Sequence, residues 1–91
     1  MADVHWPDET LFELNEIIAY IEQRNPAAAN RLQQRLLALG NSLRFAPHRG
    51  RLMARGVRQL VTVPPYILRY RVEGDDVIIV GVRHSARRPL A

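Results

Sequence analysis

The sequence predicts an α+β domain in the order β-α-α-β-β-β, with a helical hairpin packed on one face of a small, mostly antiparallel sheet. Two apolar stripes at helical spacing occupy the first half, period-two alternation begins after Gly56, and turn-forming residues separate successive alternating runs. Helices followed by strands is the pattern of segregated layers. At 91 residues the chain is expected to form a single domain, 1–91, with one core and thin stability reserves.

Residues Asp3 to Trp6 have room for a short opening strand. From about Pro7 to Arg24, the residues Leu11, Leu14, Ile17, Ile18 and Ile21 recur at three- and four-residue steps along one side of a helix. Pro7 suits the first helical position, where no N–H is needed, and Asp8 and Glu9 oppose the positive end of the helix dipole. Asn25-Pro26 ends this helix and begins another, with Asn25 as N-cap and Pro26 in the first turn. Ala29, Leu32, Leu36, Leu39 and Leu43 then form a second stripe, and the polar side of this helix carries Arg31, Arg35 and Arg44. A joint this short makes an αα-hairpin whose stripes face each other and the sheet. Gly40 costs about 1 kcal/mol relative to alanine inside a helix, so a bend or a close contact is expected there.

Pro47-His48-Arg49-Gly50 breaks the helical pattern. Val57, Gln59, Val61 and Val63 alternate with Arg58, Leu60 and Thr62; Pro64-Pro65 forces a turn; Tyr66, Leu68, Tyr70 and Val72 alternate with Ile67, Arg69 and Arg71. Glu73-Gly74-Asp75-Asp76 is a hairpin turn, and Val77-Ile78-Ile79-Val80-Gly81-Val82 is apolar on both faces, as a central strand is. If Tyr66, Leu68, Tyr70 and Val72 face the helices, Arg69 and Arg71 lie on the open face, and Arg58 is expected to join them. Arg49, Arg51 and Arg55 would rim that surface.

Charge is sorted along the chain. The first 23 residues carry six acids and no base, whereas Arg24 to Val72 carries ten arginines and no acid, within a net charge of +4. All thirteen bases are arginine. A GC-rich genome produces that bias without selection, but it does not produce the sorting. A strongly positive surface for a polyanion or an acidic partner is the expectation, and arginine forks onto phosphate and carboxylate where lysine is a point charge.

Other functions are disfavoured. Without cysteine there is no disulfide, thiolate nucleophile or cysteine metal site. His5 and His48 are isolated, and no glycine-rich phosphate loop or Ser/His/Asp constellation is present, so no metal, cofactor or small-molecule substrate is expected. The start has no basic leader region and the longest apolar run, Val77 to Val80, is far too short to span a bilayer. A cytoplasmic protein without a membrane partner is expected.

Several segments together resemble the ParE branch of the ParE/RelE toxin superfamily. They are Trp6-Pro7 before an acidic helix, Tyr20-Ile21, Asn25-Pro26-Ala27-Ala28-Ala29, Pro47-His48-Arg49-Gly50-Arg51, Arg58-Gln59-Leu60, Tyr66-Ile67-Leu68-Arg69-Tyr70-Arg71-Val72, and Val80-Gly81-Val82-Arg83-His84-Ser85-Ala86-Arg87. They cover nearly the whole chain in order. The resemblance implies a bacterial toxin of a type II toxin–antitoxin system that causes growth arrest. It also implies DNA gyrase as target and neutralisation by an acidic ParD-like antitoxin. On that basis Arg83, His84, Arg87 and Arg88 are the expected target-binding residues. Arg58, Arg69 and Arg71 are expected to take the acids of the antitoxin, with its apolar side near the helix hairpin. No catalytic residue is expected.

The alternative within the superfamily is a RelE-type, ribosome-dependent mRNA endonuclease, with His84, Arg83 and Arg87 as its catalytic candidates. Such nucleases carry an arginine directly after the strand tyrosine, where this chain has Ile67, and they favour lysines in the cleft. Two further departures from the family pattern are Trp6 in place of a serine or threonine cap and Ser85 after His84. A plain nucleic-acid-binding module is the third class, recognisable by steep salt dependence.

Overall fold

A computed structural model of the chain describes residues 1–86. Its elements are β1 (Asp3–His5), α1 (Asp8–Glu22), α2 (Pro26–Asn41), β2 (Arg51–Leu52), β3 (Arg58–Val63), β4 (Tyr66–Glu73) and β5 (Asp76–His84), with short 3₁₀ turns at Ser42–Arg44 and Ala54–Gly56. The five strands form one sheet in the order β1-β5-β4-β3-β2. β1 runs parallel to β5 and every other pairing is antiparallel. The expected helical hairpin on a mostly antiparallel sheet is thus the observed fold.

The helix ends follow from local chemistry. Asn25 caps α2, its side chain accepting the Ala28 N–H at 3.0 Å, with Pro26 in the first turn. Pro7 is the N-cap of α1 rather than its first helical residue, with φ −57° and ψ 156°, and no side chain caps that end. Leu14 and Ile18 from α1, and Ala29 and Leu36 from α2, meet Leu43, Leu60, Val63, Leu68, Tyr70, Val77, Ile79 and Val82 in one core. Both stripes therefore pack as their spacing requires.

Gly40 is a close contact: a Cβ there would run into the Trp6 ring at Cζ2. The Trp6 indole N–H donates to Oδ1 of Asn41 at 2.9 Å, which fixes the ring over the glycine. Thr10, buried on α1, donates its hydroxyl to the Ile79 carbonyl. β1 reaches only Asp76 to Ile78 of β5, so this bond ties α1 to β5 where β1 has ended.

Two features were not expected. The first is β2, a two-residue edge strand drawn from the basic loop, which pairs Arg51 with Gln59 and Leu52 with Arg58. The second is the facing of β3. Leu60 is in the core, so Arg58, two residues earlier and opposite the buried Tyr70, shares the core-facing side. An irregularity between Leu60 and Val63 then lets Val63 also turn inward.

Candidate functional site

On β4, alternation buries Leu68 and Tyr70 and turns Ile67, Arg69 and Arg71 to the opposite, uncovered face. Register sets Gln59 beside Arg69 and Arg51 beside Gln59, a polar row across three strands. Arg71 is exposed, whereas Arg69 is half-buried and its Nε is a buried donor without a partner. Among the described residues the one ion pair joins His5 Nε2 to Asp76 Oδ1 at 2.9 Å, so no described arginine is neutralised by a carboxylate. Such a row is an electrostatic landing surface for phosphates or acidic side chains.

The expected grouping of Arg58 with Arg69 and Arg71 is corrected by the structure. Arg58 Nη1 donates to the Gly50 carbonyl at 2.8 Å and the His48 carbonyl at 3.2 Å. Beside it, the fully buried Tyr70 hydroxyl donates to the Pro47 carbonyl and accepts the Gly50 N–H, both at 2.8 Å. Arg58 and Tyr70 together tie down residues 47–50, the segment that delivers Arg49 and Arg51. A side chain at position 50 would meet the Tyr70 hydroxyl at 2.7 Å, which is why glycine stands there.

The other arginines are distributed. Arg49 donates to Oγ of Ser42 at 2.7 Å, Arg44 lies over the Phe45 ring, and Arg24 lies over Tyr20. Arg55 is exposed and holds φ at 63°, a left-handed conformation that a non-glycine residue adopts at a cost of about 1 kcal/mol or more. Arg31 and Arg35 are exposed on α2, on the helical side of the sheet. The positive charge therefore occupies the open face, its rim and, separately, the outside of α2.

His84 ends β5 opposite Tyr66, with the two rings edge to face at 5.3 Å. Its Nδ1 accepts the Ala86 N–H at 3.1 Å. A backbone amide can only donate, so this nitrogen carries a lone pair and the neutral ring has its proton on Nε2. His84 and Tyr66 line a groove of about 680 Å³ with Arg83, Val82 and Ala86, closed on its other side by Phe12, Glu13, Glu16, Ile17 and Tyr20 of α1. Arg87 and Arg88 lie outside the described residues.

The groove was missed in the sequence because its aromatic members fall off the core stripe of α1. The available signal was Phe12 and Tyr20 themselves: large apolar residues eight apart on the helix, both more than a step away from the buried positions. Among the described residues no three His, Asp or Glu side chains cluster as a metal site would require. No described helix is long and apolar enough to cross a membrane.

With this geometry, residues 4–89 match the family described as the ParE toxin of the type II toxin-antitoxin system, parDE. The chain belongs to the ParE toxin family. It is 46% identical over 87 residues to Toxin RelE2 of Caulobacter vibrioides, covering 96% of this chain and 99% of that protein. Toxin RelE1 of the same organism is 34% identical over 77 residues, covering 80% and 82% respectively. Its fold is similar to that of a chain in a solved structure of a chromosomal ParDE TA system from P. aeruginosa, with a TM-score of 0.81, 20% identity, and coverage of 92% of this chain and 96% of that one. This ParE-family chain is accordingly a toxin of the ParE/RelE superfamily of type II toxin–antitoxin systems.

Proposed function

We propose that this toxin inhibits DNA gyrase without catalysing bond cleavage itself, and that an acidic ParD-like antitoxin neutralises it. The observation that supports this reading is the separation of His84 from the arginines of the open face. Cutting RNA through its 2′-hydroxyl takes a base, an acid and positive charge on the phosphorane. Arg69 and Arg71 carry suitable charge, but His84 shares the face of Tyr66, on the other side of the sheet. Its Nδ1 lone pair is engaged by the Ala86 N–H, so the neutral ring offers the groove an N–H donor and no base.

Binding needs no proton carrier. Arg51, Arg69 and Arg71 have no carboxylate partner among the described residues. DNA held by gyrase and an acidic antitoxin segment are two occupants of matching chemistry that would exclude one another. Arg83, His84, Arg87 and Arg88 extend the target-binding surface in this reading, and both partners act in the cytoplasm. The test is purified protein added to gyrase and supercoiled plasmid at micromolar concentration. Gyrase-dependent DNA cleavage is expected; normal supercoiling without cleavage removes the proposal.

One finding favours a second reading. Three relatives carry the name RelE, at 46%, 34% and 30% identity, which supports a RelE-type mRNA endonuclease using His84, Arg83 and Arg87. Primer extension on messages from expressing cells would then show codon-phased breaks that vanish in His84→Ala or Arg83→Ala. Intact messages exclude it.

A further inference from the structure

We infer that the outer face of α2 is a second phosphate-binding surface, which lies along the backbone of double-stranded DNA and is separate from the open face of the sheet. Leu36, fully buried, fixes the inner side of this helix. At 3.6 residues per turn, Ala27, Arg31, Gln34 and Ala38 project on the side opposite Leu36, with Asn30 and Arg35 flanking them, and all six are exposed. The helix carries no acid, because none occurs between Arg24 and Val72. Neither Arg31 nor Arg35 makes a hydrogen bond or an ion pair among the described residues, so their charge is available to a ligand. Arginine and amide side chains are the groups that bond to phosphate oxygens, and alanines between them let a backbone come close.

The positive surface continues past the end of the helix. Arg44 lies over the exposed ring of Phe45, and Arg49 is held by Oγ of Ser42 at 2.7 Å. From Arg31 to Arg44 the arginines span about 20 Å at the helical rise, roughly six phosphate steps of one DNA strand. The chemistry of the face selects its occupant. It presents no large apolar side chain between Ala27 and Ala38, and a protein partner would need such anchors. A membrane surface would need the apolar side of α2, and that side is spent in the core. Arg69 and Arg71 point away on the other side of the sheet, so a duplex along α2 leaves the open face accessible to a different partner.

The test is fluorescence anisotropy across a salt series, with a labelled mixed-sequence DNA duplex of about 20 base pairs. Arg69→Gln with Arg71→Gln removes the open-face charge and gives a background in which α2 acts alone. That background should still bind the duplex. Adding Arg31→Gln with Arg35→Gln should lower the slope of log affinity against log salt by about 1.8, at roughly 0.9 per phosphate contact, and weaken low-salt binding at least about tenfold. Glutamine matches arginine in helix propensity, so α2 is kept. Arg51→Gln with Arg55→Gln removes the same charge elsewhere and should change affinity less than about threefold. A background that binds no duplex, or an equal loss in both pairs, overturns the inference. Full duplex binding by Arg31→Gln with Arg35→Gln, beside a weakened antitoxin complex, would assign the face to an acidic protein and also overturn it. Gyrase-dependent cleavage by Arg31→Gln with Arg35→Gln in the otherwise wild-type chain should match wild type; its loss would merge α2 with the target-binding surface and remove the separate site.

Discussion

Tyr70→Phe isolates the device that holds the basic loop against the sheet. The hydroxyl is fully buried and makes two hydrogen bonds of 2.8 Å, donating to Pro47 and accepting from Gly50. Its removal keeps the ring in the core but leaves the buried Gly50 N–H without an acceptor. An orphaned buried donor costs about 1–3 kcal/mol, so a loss near 2 kcal/mol is expected. For a domain of this size that lowers Tm by about 8–16 °C. Urea unfolding should show a lower midpoint at unchanged slope, the mark of altered stability rather than altered compactness. Arg58→Met acts on the same residue from the other side, since Arg58 donates to the Gly50 carbonyl. The double variant should therefore depart from additivity by more than about 0.5 kcal/mol. A Tyr70→Phe loss below about 0.5 kcal/mol, with the Gly50 amide still protected from exchange, would refute the reasoning.

Three further outcomes follow from the same geometry. Gly40→Ala should gain about 1 kcal/mol of helix propensity yet destabilise the protein overall, because a methyl there runs into the Trp6 ring and forces repacking that costs about 1–3 kcal/mol; thermal melts decide the sign. Asn25→Ala removes the α2 cap and should cost about 1 kcal/mol by denaturant titration. Arg69→Glu with Arg71→Glu should weaken the antitoxin complex by about 2–5 kcal/mol in calorimetry, whereas Arg58→Met should change that affinity little.

Most of the fold was legible because strong periodicities coincide with explicit stop signals. The stripes of α1 and α2, the Asn25-Pro26 joint and the turn at Gly74 each rest on local chemistry that the tertiary structure reinforces. β2 was not legible, since two residues have no period and their strand character comes only from pairing with β3. Arg58 was misread because β3 has apolar residues at both parities. Only the tertiary choice of Leu60 for the core reveals that Arg58 is directed toward the loop carbonyls. Arg69 and Arg71 were read correctly, because Leu68 and Tyr70 leave them no other face. The groove needed α1 and β5 brought together, a contact no local pattern encodes.

The separation of His84 from the open-face arginines is most directly tested by one gyrase cleavage titration with three proteins. Wild type should accumulate cleaved plasmid, and His84→Asn, which loses one target contact but keeps a side-chain acceptor for the Ala86 N–H, should still accumulate it at a higher toxin concentration. Arg69→Glu with Arg71→Glu should accumulate none. Loss of activity in His84→Asn alongside full activity in the arginine variant would contradict a toxin that acts by grip rather than by proton transfer.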